Sequence, residues 1–169
     1  MRLHSAKVPQ MAAEMVRSLM EAGDIEAEAP AEVQADLEAV LSQYIRDEQE
    51  VSEKARDMIA ARGLPQSEYR RTRELFAEQR HIKLGEGAID YLLDQMLEML
   101  MQSSHVDEIY APDHELRRKL RGPLRKQVEL GDDLDQAVRA QLKHVQEGTS
   151  LWEVEYRRVK EDIKRRKGL

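Results

Sequence analysis

The amino-acid sequence predicts an all-α protein: about eight helices, arranged as two tandem four-helix repeats packed into one compact bundle. Three observations carry that expectation. Leu, Met, Ala, Glu, Arg and Gln dominate the chain, with 8 Gly, 5 Pro and 4% aromatic residues among 169, a composition of strong helix formers. Ile89, Leu92, Leu93, Met96, Leu97, Leu100 and Met101 recur at i, i+3, i+4, i+7, i+8, i+11, i+12, the apolar stripe of a 3.6-period helix. The same pattern stands 81 residues earlier as Val8, Met11, Ala12, Met15, Val16, Leu19 and Met20, which points to an internal duplication. Residues 1–81 form the first expected repeat and residues 82–169 the second.

The first helix begins near Ser5 or Val8. Pro9 favours the later start, because proline suits a first helical turn, and Gly23 is a natural stop. Ile25 and Val106 follow the two striped helices closely, either as apolar contacts that pin the helix end, the preferred reading, or as very short extended segments. A second helix is expected from about Ala31 to Arg46, with Val33, Leu37, Val40, Leu41 and Tyr44 inward. A third has Ser52 as its N-cap, Ala55, Met58 and Ile59 inward, and Gly63 as its stop. Gly63-Leu64-Pro65 then separates a fourth, about Ser67 to Arg80, with Tyr69, Thr72, Leu75 and Phe76 as its apolar side.

The second repeat follows the same plan. Its striped helix is Ile89–Met101. A sixth helix starts near Asp113 with Leu116 and Leu120 inward, and Gly122-Pro123 predicts a kink or break. Asp132 or Asp133 caps a seventh with Leu134, Val138, Leu142 and Val145 inward, ended by Gly148. An eighth opens with a Ser150-x-x-Glu153 capping box and carries Trp152, Tyr156, Val159 and Ile163 on one face. Glu68-Tyr69-Arg70-Arg71-Thr72-Arg73-Glu74 echoes Glu155-Tyr156-Arg157-Arg158-Val159-Lys160-Glu161, which strengthens the duplication.

Several function classes are disfavoured. The chain has no cysteine, so disulfides, thiolate metal sites and a cysteine nucleophile are excluded. The N-terminus lacks the apolar run of a signal peptide and no 18-residue apolar stretch occurs, so a cytoplasmic protein with no membrane span is expected. A net charge of −6 argues against wholesale binding of nucleic acid, although residues 154–169 are net positive. His4, His81, His105, His114 and His144 include no pair one helical turn apart, so no metal site is expected. His105 with Asp107 and Glu108 reads as a solvated helix end. Gly85-Glu86-Gly87 fits no nucleotide loop, and no cofactor is expected. The carboxylate pairs Asp47-Glu48, Asp107-Glu108 and Asp132-Asp133 are expected at helix boundaries, complementing the N-terminal dipole. No catalytic residue stands out.

Near the C-terminus, Glu147, Gly148, Thr149, Trp152, Tyr156 and Arg157 spell Glu-Gly-(Thr/Ser)-x-x-Trp-x-x-x-Tyr-Arg, and the chain opens with Met1-Arg2-Leu3 before a long amphipathic helix. On these residues it resembles, over nearly its whole length, a bacterial family catalogued only as domain of unknown function number 507. It departs after Arg157, where Arg158-Val159-Lys160 stands in place of further aromatic residues. The resemblance implies a small, all-helical bacterial protein and no particular activity.

The expected function is therefore a non-enzymatic protein-interaction or scaffold module with an unidentified protein partner, self-association being left open. The candidate surface is Tyr69, Arg70, Arg71, Trp152, Tyr156, Arg157, Arg158, Lys164, Arg165 and Arg166. The alternative is a nucleic-acid-associated protein that uses the basic C-terminal helix, helped by Arg117, Arg118, Lys119 and Arg121. On the structural side, Trp152 docks its helix, and Arg70–Glu74 and Arg157–Glu161 are simple i, i+4 pairs.

Overall fold

A computed structural model describes residues 3–168; Met1 and Arg2 of the opening motif lie outside them, as does Leu169. Within them are six α-helices rather than eight: α1 (Val8–Glu21), α2 (Pro30–Arg62), α3 (Tyr69–Gln79), α4 (Ala88–Gln102), α5 (Asp113–Gln141) and α6 (Ser150–Lys167). Two extended pairs, β1 (Ile25–Glu26) and β2 (Glu108–Ile109), form an antiparallel ribbon in which Ile25 faces Ile109 and Glu26 faces Glu108. The short extended segment was thus the right alternative after the first striped helix, and Ile25 is buried within it. Val106 lies just ahead of β2 and packs on the core.

The helix count falls because two expected breaks are absent. Ala31 to Arg62 contains neither Gly nor Pro, so nothing obliges the chain to leave the helix. Ser52, expected as an N-cap, sits mid-helix and donates its hydroxyl to the Glu48 carbonyl at 3.0 Å. In α5, Gly122-Pro123 does not interrupt the helix. Proline removes one backbone donor, but Leu120 and Leu124 on either side are fully buried, and their packing outweighs the lost bond. With these breaks gone, Asp47-Glu48 and Asp132-Asp133 lie inside helices, and Asp107-Glu108 runs into the ribbon. None of the three pairs is a helix cap. Where a stop was expected at Gly63 it is found: φ is +60° and Leu64 N–H reaches the Ile59 carbonyl at 3.1 Å, a left-handed helix end for which glycine is suited. His81 ends α3 the same way with φ +58° and Ile82 N–H on the Ala77 carbonyl at 3.1 Å.

Each half runs through a 3-10 turn, a striped helix, a two-residue strand, a long helix and a last helix, and the first half has an additional 3-10 turn, Gln66–Glu68, before its last helix. That is three α-helices per half, not four. The striped helices α1 and α4 each pack on both long helices, α2 and α5, rather than mainly on one another. Met11, Met15, Leu19, Leu92, Leu93, Met96 and Leu100 fill the space between them, joined by Leu37, Leu41, Leu116, Leu120 and Leu124. Met101 at the end of its stripe is 60% exposed, and Leu75 of α3 is 49% exposed, so neither expected inward position is in the core.

Among the described residues the buried side chains gather into two clusters rather than one. The first ends near Val128 of α5. Beyond it, Leu134, Val138 and Leu142 cluster with Trp152, Val159 and Ile163 of α6, with Ala137, Val145 and Tyr156 at the edge. Helix α3 buries only Thr72 and Ala77 and is tied to α2 by ion pairs: Arg80 with Asp47 at 2.8 Å and Glu50 at 2.7 Å, and Arg73 with Glu48 at 3.0 Å.

A candidate interaction cleft between α2, α3 and α6

The Glu-Gly-Thr-x-x-Trp-x-x-x-Tyr pattern forms a clamp that fastens α6 to the end of α5. Thr149, not Ser150, is the N-cap: its hydroxyl oxygen accepts the Trp152 N–H at 3.2 Å, satisfying one of the free donors of the first turn. Glu153 is consequently released from any capping role and pairs with Arg56 of α2 at 2.7 Å. Glu147 receives both terminal nitrogens of Arg139 at 2.7 and 2.9 Å, a bidentate pairing. The Arg139 Nε donates to Asp135 at 2.8 Å, whose other oxygen accepts the Tyr156 hydroxyl at 2.5 Å. The guanidinium stands 5.1 Å above the Trp152 ring, and Trp152 stacks on Tyr156 with centroids 4.8 Å apart. The Glu147 carboxylate, and then Asp135, hold Arg139 protonated well above its ordinary range.

Gly148 brings this clamp against α3. Its φ is +86°, and a Cβ there would lie 2.6 Å from Gln66 Oε1 and 3.4 Å from the Tyr69 ring. Only a residue without a side chain satisfies both conditions. The close approach leaves a polar cleft of about 360 Å³ between α2, α3 and α6. Tyr69 and Arg73 of the first Glu-Tyr-Arg-Arg stretch and Tyr156 and Arg157 of the second line the same cleft, opposite Gln49 and Ser52 of α2.

The ten candidate residues therefore divide. Tyr69, Trp152, Tyr156 and Arg157 come together at the cleft, although Trp152 is only 6% exposed and belongs to the second core. Arg70 points away and pairs with Glu74 at 3.4 Å; Arg71 is exposed. Arg158 lies on the far face of α6 with Glu155 at 2.7 Å and Asp162 at 3.6 Å. The expected Arg157–Glu161 pair is not formed; Glu161 is instead 3.8 Å from Lys164. Arg165 and Arg166 are exposed in the last turn. The basic run at the start of α5 is largely matched by acids: Arg117 with Asp94, Lys119 with Asp24, and Arg121 with Asp90 at 2.7 Å.

One polar cluster had no sequence signal. Asp36 of α2 accepts the Ser103 hydroxyl at 2.6 Å and pairs with His105 Nδ1 at 2.9 Å, holding the turn between α4 and β2. The Asp36 bond raises the His105 pKa above 6.5. Burial works to raise the Asp36 pKa, but the Ser103 and His105 bonds outweigh it and the net direction is down. Because Ser103 donates to the carboxylate rather than to the imidazole, the trio lacks the hydroxyl-to-histidine bond of a nucleophilic triad. Among the described residues no group of three or more His, Asp or Glu is placed to hold a metal ion, and no helix is long and apolar enough to cross a membrane.

The fold and cleft define an all-α protein with a short two-stranded ribbon and a polar groove whose charges are mostly paired. The chain belongs to the family described as protein of unknown function, DUF507, whose model matches residues 1–169. No curated protein matches the sequence.

Proposed function

We propose that this protein is a non-enzymatic interaction module, built from two copies of a half-length repeat, that receives a protein partner in the cleft between α2, α3 and α6. The observation that carries this proposal is the convergence of both Glu-Tyr-Arg-Arg stretches on one groove: Tyr69 and Arg73 from α3 meet Tyr156 and Arg157 from α6. A purely structural use of those stretches has no need to bring both to one open surface. The cleft suits binding better than chemistry. Three of its acids are engaged as ion-pair acceptors, Glu48 by Arg73, Glu153 by Arg56 and Glu147 by Arg139, and a carboxylate held by a cation is a poor proton shuttle.

The test is site-specific photo-crosslinking in cells. A crosslinking side chain at Gln49, exposed in the cleft, is expected to give discrete protein adducts that survive nuclease. The same group at exposed Leu130 of α5 is expected to give none. Adducts lost on nuclease treatment would favour a nucleic-acid partner for the basic helix, and equal labelling from both positions would remove the cleft from consideration.

A further inference from the structure

Helix α5 outruns the two striped helices that flank it. At 1.5 Å per residue its 29 residues extend about 44 Å, whereas the 14 of α1 and the 15 of α4 extend about 21 and 23 Å. The first cluster accordingly stops at Val128, and past it Leu134, Val138 and Leu142 are seated on α6. Helix α3, by contrast, belongs to the first cluster through Ala77. Gly131 falls between Val128 and Leu134, in the interior of α5. After proline, glycine is the residue least suited to a helix interior, so a bend of α5 costs least at this junction. What faces the α5–α6 unit across the cleft is polar: Gln49, Ser52, Glu53 and Arg56 of α2. The ion pair of Arg56 with Glu153 at 2.7 Å crosses the cleft, and both side chains are partly exposed. Among the described residues, no helix other than α5 packs extensively on α6.

We infer that the part of α5 beyond Gly131 swings together with α6, toward and away from α2 and α3, so that the cleft opens and closes with Arg56–Glu153 as a latch. The inference deepens the interaction-module proposal by naming how the cleft admits a partner, and it rests on that reading only for the purpose of the opening. Small polar interfaces within a chain permit relative motion, and a partly exposed ion pair holds weakly. The second cluster is apolar and keeps α6 on α5 throughout. Helix α6 runs back along α5, with Trp152 beside Arg139 and Tyr156 beside Asp135. Its opening turn therefore lies farthest from Gly131 and sweeps the largest arc. That turn carries both Glu153 of the latch and the exposed Val154. Hinges of this kind concentrate the change of backbone angle in a few residues and leave the packed units intact.

The chain has no cysteine, so pairs of spin labels can be placed on the full chain and their separations read by double electron–electron resonance with no partner added. Ala60→Cys on α2 is the reference, combined in turn with Lys126→Cys, Ala140→Cys and Val154→Cys; all four positions are exposed. The Lys126 pair, before Gly131, is expected to show one narrow distance, and the Ala140 and Val154 pairs a short and a long one in the same proportion. Arg56→Glu should raise the long-to-short ratio about five-fold, the equivalent of about 1 kcal/mol, and adding Glu153→Arg should restore it. Hydrogen exchange should show residues 150–167 as protected in Arg56→Glu as in the wild type. One narrow distance for every pair, movement of Val154 without Ala140, no recovery in the charge swap, or loss of α6 protection would each overturn the inference. If the distances divide while Gln49 gives no protein adducts, the partner proposal falls and the swing stands. Adducts at Gln49 with undivided distances would leave the cleft as a rigid site and remove the swing.

Discussion

Replacing Trp152 with alanine should undock α6 while leaving the main core folded. The indole is 6% exposed, stacks on Tyr156 and lies beneath Arg139. An aromatic ring of this class buries roughly 150–250 Å², worth about 4–6 kcal/mol at about 25 cal/mol per Å². Alanine keeps a small share, so the expected cost is about 3–5 kcal/mol. That cost falls on a cluster whose other buried members are Leu134, Val138, Leu142, Val159 and Ile163, too few to hold the helix without their largest ring. Hydrogen exchange read by mass spectrometry locates the loss. Amides of residues 150–167 should exchange close to unprotected rates, while those of residues 8–21 and 88–102 keep wild-type protection. If α1 and α4 lose protection in step with α6, the two cores unfold as one and the separation described above has no energetic meaning. Unchanged protection of α6 would show that Trp152 is not its anchor.

Four further outcomes are expected. Gly148→Ala should cost about 1–3 kcal/mol through its left-handed backbone and the 2.6 Å approach to Gln66; adding Gln66→Ala should recover the steric share, and no recovery in denaturant titrations would show that contact to be unimportant. His81→Gly should stabilise the chain by about 0.5–1 kcal/mol in thermal unfolding, because a non-glycine residue at φ +58° is strained; a lower melting temperature would point to an unseen role for the imidazole. Leu97→Ala, in a side chain 2% exposed, should cost about 2–5 kcal/mol, while Arg165→Ala in the exposed last turn should stay within about 0.5 kcal/mol of neutral; equal losses in chemical denaturation would contradict the core assignment. His105 should titrate above 6.5 because Asp36, with Glu32 nearby, favours its charged form. The contact therefore stabilises fully below pH 6.5 and its contribution fades as pH rises through the elevated midpoint. In Asp36→Asn the midpoint read by NMR should fall, and an unmoved value would refute the assignment.

What the sequence made legible was whatever depends on neighbours along the chain. The stripes of α1 and α4 are a 3.6-residue periodicity, and their central members Met15, Leu19, Met96 and Leu100 are buried as expected. The stop at Gly63 was equally plain, because a left-handed helix end has a local chemical requirement. The errors came where a local signal met a stronger distant one. Ser52 looks like a cap, but it serves Arg73 from α3 at 2.9 Å. Pro123 looks like a break, but α5 runs on through it with Leu120 and Leu124 buried on either side. The ribbon is two residues per strand, too short to show an alternating pattern. At the cleft, Gly148, Thr149, Trp152 and Tyr156 stood out in the sequence, whereas Arg139 and Asp135, which link them, carried only an ordinary i, i+4 spacing. Asp36 and His105 lie 69 residues apart, and no sequence rule brings such a pair together.

The way α1 lies between α2 and α5 bears on how the protein is made. A chain leaving the ribosome releases α1 before α2 and α5, and α2 can cover one side of it within the next few dozen residues. The other side, with part of the Met11, Met15 and Leu19 row, has no cover until α5 emerges, and Ile25 waits equally long for Ile109. Until α5 emerges the nascent chain therefore carries an uncovered, methionine-rich apolar strip on α1. Contacts this distant in sequence slow folding and prolong exposure of sticky surface, so α1 is a segment whose apolar face stays open to other chains until α5 covers it.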